Sequence, residues 1–259
     1  MKEQDLLFEK RLDDLAHTSY YREITVYTDF LDLNELHIVH SFQEKNHGVR
    51  ILFFGGYEGA ERQIAAFLPD ALSCNEYKDL TPVYPIDCLK ISPVSRKFSE
   101  QLTHRDFLGA LIHLGIDRCK LGDLVLKDQD CFLFCHSHMT EFILQNLEKV
   151  KHTNVKLEQI FDPMEMPQPE FKEIQGTVAS VRLDSMIALA FSSSRSSMLG
   201  LIEGGKVFVN GRLTVSNGYP LKPQDIVTVR GYGKFKYEGV KNMTKKGRCA
   251  VIINRYGIS

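Results

Sequence analysis

Between residues 182 and 212 the side chains needed to hold a phosphate recur at spacings that secondary structure could bring together. Arg182 precedes one apolar helical stretch. Ser194 and Arg195 open the next, where unpaired backbone N–H groups and the helix dipole favour an anion. Lys206 and Arg212 flank an Asn210-Gly211 turn whose asparagine can offer side-chain amide bonds. Arg230, Lys234 and Lys236 extend the positive charge, interleaved with Tyr232, Phe235 and Tyr237. Cations that neutralise a backbone, alternating with rings that stack on bases, are the chemistry of a single-stranded or structured RNA surface. An arginine in a helix's first turn opposes the dipole, so a bound phosphate would give Arg195 its reason. The alternative is a pairing of Arg195 with Asp184, one helix away.

Other constellations fail on chemistry. Gly55-Gly56-Tyr57-Glu58-Gly59 stands where a dinucleotide fingerprint would, but the first required glycine is Phe54, which cannot make the tight turn; a βα loop is expected. His104-Arg105-Asp106 has Leu111 where a kinase loop needs a metal-binding asparagine, and reads instead as the charged first turn of a helix. In Cys131-x₃-Cys135-His136-x-His138, two cysteines on one strand stand about 13 Å apart at ~3.3 Å per residue, too far for one zinc ion. Phe132 and Phe134 share a strand face that suits either base stacking or a core. No catalytic residue, metal or cofactor is expected.

Charge separates along the chain. Residues 181–259 carry 13 Lys and Arg against 4 Asp and Glu, net +9, whereas the preceding residues carry 19 against 29, net −10. The basic part calls for an anionic partner such as nucleic acid, unless two oppositely charged domains simply dock. The longest apolar run, Met186–Phe191, is far short of the roughly 18 residues of a membrane span. The charged opening MKEQDLLFEKRLDD is no signal peptide, so a cytoplasmic location and free thiols at the six cysteines are expected.

The positioning elements follow from periodicity and caps. Residues 4–17 have helical spacing, and Asp32 with Glu35 forms a capping box for a helix from Leu33 to about Glu44. A strand over Val49–Phe54 and a helix over Ala60–Phe67 complete a first unit, residues 1–82. Next, over 83–161, come a strand Cys88–Val94, a helix capped at Thr103 or Asp106 and running to Leu114, strands Gly122–Leu126 and Asp130–His136, a helix Thr140–Val150 and a strand Asn154–Ile160. That β-α-β-β-α-β order is ferredoxin-like, as in RNA-recognition folds. Residues 162–176 read as a linker. The third unit, 177–259, has a helix Ser185–Phe191, a second helix ending at Gly204-Gly205, an Asn-Gly hairpin from Lys206 to Val215 and a strand Ile226–Arg230. The fold class is α+β, in three small domains.

At these residues the chain resembles a known module. Arg182-Leu183-Asp184, Ser194-Arg195-Ser196, Leu201-Ile202, Gly205-Lys206-Val207, Val209-Asn210-Gly211 and Asp225-Ile226 match the S4 RNA-binding domain in order and spacing. Met198 stands where a small residue is usual, and Gln224 where glycine usually precedes the aspartate. The whole chain resembles the YlmH family of bacterial RNA-binding proteins, at Thr28-Asp29-Phe30-Leu31-Asp32, Gly55-Gly56-Tyr57 with Ala60-Glu61-Arg62, and Leu102–Ala110. The resemblance implies an N-terminal α/β segment, a central RRM-like domain and a C-terminal S4 domain. It also implies a non-enzymatic factor that binds rRNA and tRNA on the large ribosomal subunit in rescue of stalled nascent chains, in a family often labelled as cell-division related. No membrane or DNA partner is implied. One rival is an RNA-modifying enzyme, since S4 domains accompany pseudouridine synthases. Over Arg182-Leu183-Asp184, however, that enzyme pattern meets Ile187 at its threonine and Leu189 at its second glycine. The other rival is a protein adaptor working through the acidic part.

Overall fold

The computed structural model describes residues 3–45, 50–69, 83–162, 164–167, 170–245 and 247–257. The expected strand start at Val49, Cys74 and the close of the first domain at 70–82 lie outside them. The chain is mixed α/β and divides into two compact units, one up to Gln168 and one from Pro169 to Ile258.

The first unit opens with α1 (Glu3–Arg22), β1 (Val26–Tyr27) and α2 (Leu33–Lys45), followed by β2 (Arg50–Phe54) and β3 (Ile64–Leu68). Asp32 starts α2 as its spacing predicts: its carboxylate accepts the Asn34 and Glu35 N–H groups at 2.8 and 2.9 Å, and Glu35 accepts the Asp32 N–H at 2.8 Å. The helix expected over Ala60–Phe67 is instead a connecting stretch that runs at Ile64 into β3, the middle strand of a β1-β3-β2 sheet. All five of its residues are buried, and a short apolar run carries no period to separate helix from strand. The glycine-rich stretch is therefore a β–β connection.

The same unit continues with β4 (Ile86–Pro93), α3 (His104–His113), β5 (Leu121–Lys127), β6 (Asp130–His136), α4 (Thr140–Asn146), β7 (Lys149–Val150) and β8 (Thr153–Ile160). The antiparallel sheet order is β5-β6-β4-β8-β7. Asp106 accepts the Thr103 N–H and hydroxyl at 2.8 and 2.7 Å, which starts α3 as expected. The helix expected to reach Val150 stops at Asn146, because Lys149–Val150 turns back through Lys151 (φ 52°) to pair with Thr153–Asn154.

The interior strand β6, between β5 and β4, is buried on both faces. Cys131, Leu133 and Cys135 pack with Phe107, Leu111 and Ile143 of the helices. Phe132 and Phe134 face the other way, into a cluster with Phe30 and Ile64 of the N-terminal segment. Tyr57 stacks on Phe134 at 4.9 Å, and Gly56, at φ +100°, lies so close that a Cβ there would meet that ring at 2.3 Å. Asp123 fastens the two parts, accepting the Tyr57 hydroxyl at 2.8 Å and the Glu61 and Arg62 N–H groups at 2.7 and 3.1 Å. Arg62 answers by donating to the carbonyls of Leu121 and Phe30 at 2.9 and 2.8 Å.

The second unit comprises β9 (Phe171–Val178), α5 (Leu183–Ala190), α6 (Arg195–Glu203), β10 (Val207–Val209), β11 (Arg212–Leu213), β12 (Ile226–Val229), β13 (Gly233–Met243) and β14 (Cys249–Tyr256). Its antiparallel sheet runs β11-β10-β12-β13-β14-β9. Both helices pack on one face through Leu183, Met186, Ile187, Met198 and Ile202, against Val207, Val227, Phe235, Tyr237, Val251 and Ile253. Asn210 and Gly211 adopt φ 49° and 76°, the two positive values of a tight hairpin turn. Phe171–Gln175, expected within the linker, belongs to β9, which pairs with the whole of β14. Three prolines and four acids made that region look like linker, but the prolines all precede Phe171.

Candidate nucleic-acid interface

Two of the expected cations converge on the first turn of α5. Arg182 is its N-cap, with Nε 3.4 Å from Oδ1 of Asp184. Asp184 is buried, and the same Oδ1 accepts the Ser185 N–H at 2.8 Å and its hydroxyl at 3.3 Å. Arg195, from α6, donates to the Ser185 hydroxyl. The acid is thus engaged by Arg182, and Arg195 reaches it only through the serine. Both arginines are exposed and retain donors beyond these contacts, so a doubly basic edge is held in place from beneath by one buried carboxylate.

The helix ends themselves are less open than their positions suggest. The Leu183 and Asp184 N–H groups donate to the carbonyls of Tyr219 and Asn217 at 2.9 and 3.2 Å, so the 216–220 loop fills the α5 N-terminus. Ser194 caps α6, accepting the Ser197 N–H at 3.2 Å and sharing hydrogen bonds with the Ser196 and Ser197 hydroxyls at 3.0 Å. Its role in the structure is that of a cap.

The remaining expected residues spread over the sheet. Lys206 and Arg230 are neighbours across β10 and β12, joined by the Arg230 N–H on the Lys206 carbonyl at 2.9 Å; both are exposed, and the Arg230 guanidinium lies 5.1 Å over the Phe208 ring. Arg212 stands opposite Val209, at the far end of the hairpin. Asn210 is turned inward: its amide donates to Asp225 at 2.8 Å and its oxygen accepts the Ile226 N–H at 2.9 Å. The expected ligand amide is instead a clasp between turn and sheet. Lys234 and Lys236 face Thr228 and Ile226, with Lys234 4.8 Å over the Tyr256 ring.

The expected stacking rings are corrected. Phe235 and Tyr237 are buried in the core, because β13 alternates and its lysines hold the opposite face. Tyr232 remains 42% exposed, edge-on to Phe191 at 5.8 Å. Phe134 in the first unit is 1% exposed beneath Tyr57, so no base can reach its face. Burial pushes the Cys135 thiol up to about 12 and raises that of Cys131 as well.

Residues 83–162 match a family described as "Putative RNA-binding domain in YlmH", and residues 181–227 match the S4 domain. The S4 match spans the motifs that resemble that domain, from Arg182 to Ile226. The two matches together support the YlmH family. Its relatives include the "Ribosome-associated protein quality control protein P2" of Bacillus subtilis (strain 168), 28% identical over 229 residues, which are 88% of this chain and 86% of that one. The "Cell division protein ylmH from Streptococcus pneumoniae" aligns with 64% of this chain and 97% of its own, at 20% identity and a TM-score of 0.49. The S4 match covers the Arg182–Asp184–Ser185–Arg195 cluster and the Asn210–Asp225 clasp. It stops before β13 and β14.

Proposed function

We propose that this chain is a non-enzymatic, ribosome-associated RNA-binding factor of the cytoplasm, whose S4 domain holds structured RNA. Its targets in this reading are rRNA and tRNA on the large ribosomal subunit, during rescue of stalled nascent chains. The observation that carries it is the pair of exposed arginines, Arg182 and Arg195, organised by the Asp184–Ser185 pair within an S4 match. The name of the Bacillus subtilis relative supports the ribosomal setting. No helix among the described residues is long and apolar enough to cross a membrane. Lys206, Arg212, Arg230, Lys234 and Lys236 extend the phosphate-binding surface in this reading, with Ser194 and Asn210 as its scaffold.

We read the architecture as three domains, 1–82, 83–161 and 177–259, with the central one ferredoxin-like. The strand order β5-β6-β4-β8 with α3 and α4 on one face supports that reading. Against a pseudouridine synthase stands the state of Asp184, which is 6% exposed and engaged with Arg182 and Ser185 rather than open to a base.

The test is co-sedimentation of the full chain with separated ribosomal subunits, followed by sequencing of crosslinked RNA. The expected result is retention on large subunits, weakened roughly ten- to a hundredfold in affinity by Arg195→Ala through loss of a charge-assisted contact worth about 1.5–3 kcal/mol. Melting of the variant separates binding from folding. Unchanged affinity per folded molecule would move the site elsewhere.

A further inference from the structure

The charge of the second unit is unevenly shared. Residues 181–227, the extent of the S4 match, hold five Lys and Arg against three Asp and Glu, net +2. Residues 228–259 hold eight against one, net +7. Most of the attraction for a polyanion therefore comes from outside the S4 match, on the β13–β14 hairpin and the turn before it.

The hairpin's shape suits that charge. The β12 side of β13 is bonded as far as Tyr237, whose N–H donates to the Asp225 carbonyl at 2.9 Å and whose carbonyl accepts the Gln224 N–H at 2.6 Å, so from Glu238 onward β13 has a ladder partner on one side alone, β14. The register shifts twice, between Tyr237 and Gly239 and between Val240 and Asn242. Lys241 is the extra residue of the second shift, exposed and without a partner in the ladder. The tip is tied, not loose. The Thr244 N–H donates to the Arg248 carbonyl at 2.8 Å, the Gly247 N–H to the Thr244 carbonyl at 2.9 Å, and the Arg248 N–H to the Thr244 hydroxyl at 3.0 Å. Lys245 is exposed on this turn, and the Arg248 guanidinium is fastened to the Thr177 carbonyl at 2.9 Å. From Lys234 to Met243 the strand spans about 30 Å at ~3.3 Å per residue, and Lys245 lies on the turn beyond it.

Resting on the RNA-binding reading above, we infer that this hairpin is a second RNA-contact surface, separate from the arginine cluster, and that Lys241 and Lys245 on it take the phosphates of double-stranded RNA. The choice of duplex follows from the aromatics. The three rings of residues 233–257, Phe235, Tyr237 and Tyr256, are all buried, so the hairpin has cations for a backbone and no platform for a base. Single strands are held by stacking, whereas duplex RNA is held by its shape and phosphates. A competing role for the lysines is to guard an open sheet edge against pairing with another chain.

The experiment uses the full chain, a blunt RNA duplex of about 16 base pairs and either of its strands alone, with affinity followed against salt. Lys241→Gln/Lys245→Gln is expected to lose about five- to tenfold in duplex affinity, and its log K against log[salt] should be shallower by about 1.8, for two phosphate contacts on a duplex. Lys241→Arg/Lys245→Arg should bind like the parent. Melting and size-exclusion profiles check that the Gln variant remains folded and monodisperse. Affinity and slope unchanged in the Gln variant, with the Arg182→Ala/Arg195→Ala variant still impaired, overturn the hairpin while leaving the RNA-binding reading intact. Aggregation of the Gln variant with unchanged affinity in its soluble fraction assigns the lysines to edge protection and overturns it too. A parent chain that prefers the single strand overturns the choice of duplex, and a parent that binds no RNA removes both readings.

Discussion

Arg182 and Asp184 are paired within one helical turn, Nε to Oδ1 at 3.4 Å, with the aspartate buried and about half of the arginine side chain in solvent. The pairing makes an acidic residue part of the proposed RNA surface. Charge arithmetic alone says that removing Asp184 should strengthen RNA binding. Geometry says the opposite, since the carboxylate holds Arg182 directly and Arg195 through Ser185. Asp184→Asn is expected to weaken RNA binding about fivefold, or roughly 1 kcal/mol, while raising the net charge. Anisotropy titrations beside the parent chain decide the sign.

Gln224 adopts φ 75°, the left-handed conformation that explains why glycine is usual before this aspartate. A side chain there costs about 1–2 kcal/mol, offset in part by the greater freedom of glycine in the unfolded chain and by the Gln224–Glu238 hydrogen bond at 2.8 Å. Gln224→Gly is expected to stabilise the second unit by about 0.5–1 kcal/mol, a rise of roughly 2–6 °C in its Tm. RNA affinity at low temperature should not change. A fall in Tm would mean that the bond to Glu238 outweighs the strain.

Asp123 joins the N-terminal segment to the central sheet by three hydrogen bonds, from Tyr57, Glu61 and Arg62. Asp123→Ala should destabilise the first unit by about 1–3 kcal/mol, as expected when a half-buried set of three hydrogen bonds loses its acceptor. Calorimetry should find the first unit's transition lowered and the second unit's unmoved. Gly56→Ala should act in the same direction, because its Cβ would overlap the Phe134 ring.

Burial pushes the Cys88 and Cys135 thiols up to about 12, against about 8.5 for an ordinary thiol. The folded state therefore holds these protons more tightly than the unfolded one. Their contribution is complete below about pH 8.5 and erodes as pH rises toward 12, by up to about 1.4 kcal/mol per pH unit for each thiol. The first unit should accordingly lose Tm steeply above about pH 9, and Cys88→Ala/Cys135→Ala should flatten that slope despite a lower starting Tm. Neither thiol should react with iodoacetamide at pH 8 while the unit is folded.

The features readable from residue types and spacing all lie within a few residues of their signals. Asp32 with Glu35, Thr103 with Asp106, and Asn210 with Gly211 act through bonds spanning one turn, so α2, α3 and the β10–β11 hairpin were legible from spacing alone. So was the concentration of charge after residue 180, which needs no coordinates. The tertiary structure decided the rest because it depends on partners distant in sequence. Ile64–Leu68 becomes a strand only because β1 and β2 lie on either side of it, and Phe171–Gln175 only because β14 is there to pair with it. Phe235 and Tyr237 alternate with Lys234 and Lys236, and sequence alternation cannot say which set meets the helices. The α5–α6 core takes the rings and leaves the lysines on the other face. The same holds for Arg195, whose ten-residue separation from Ser185 becomes a hydrogen bond only when α6 folds back on α5.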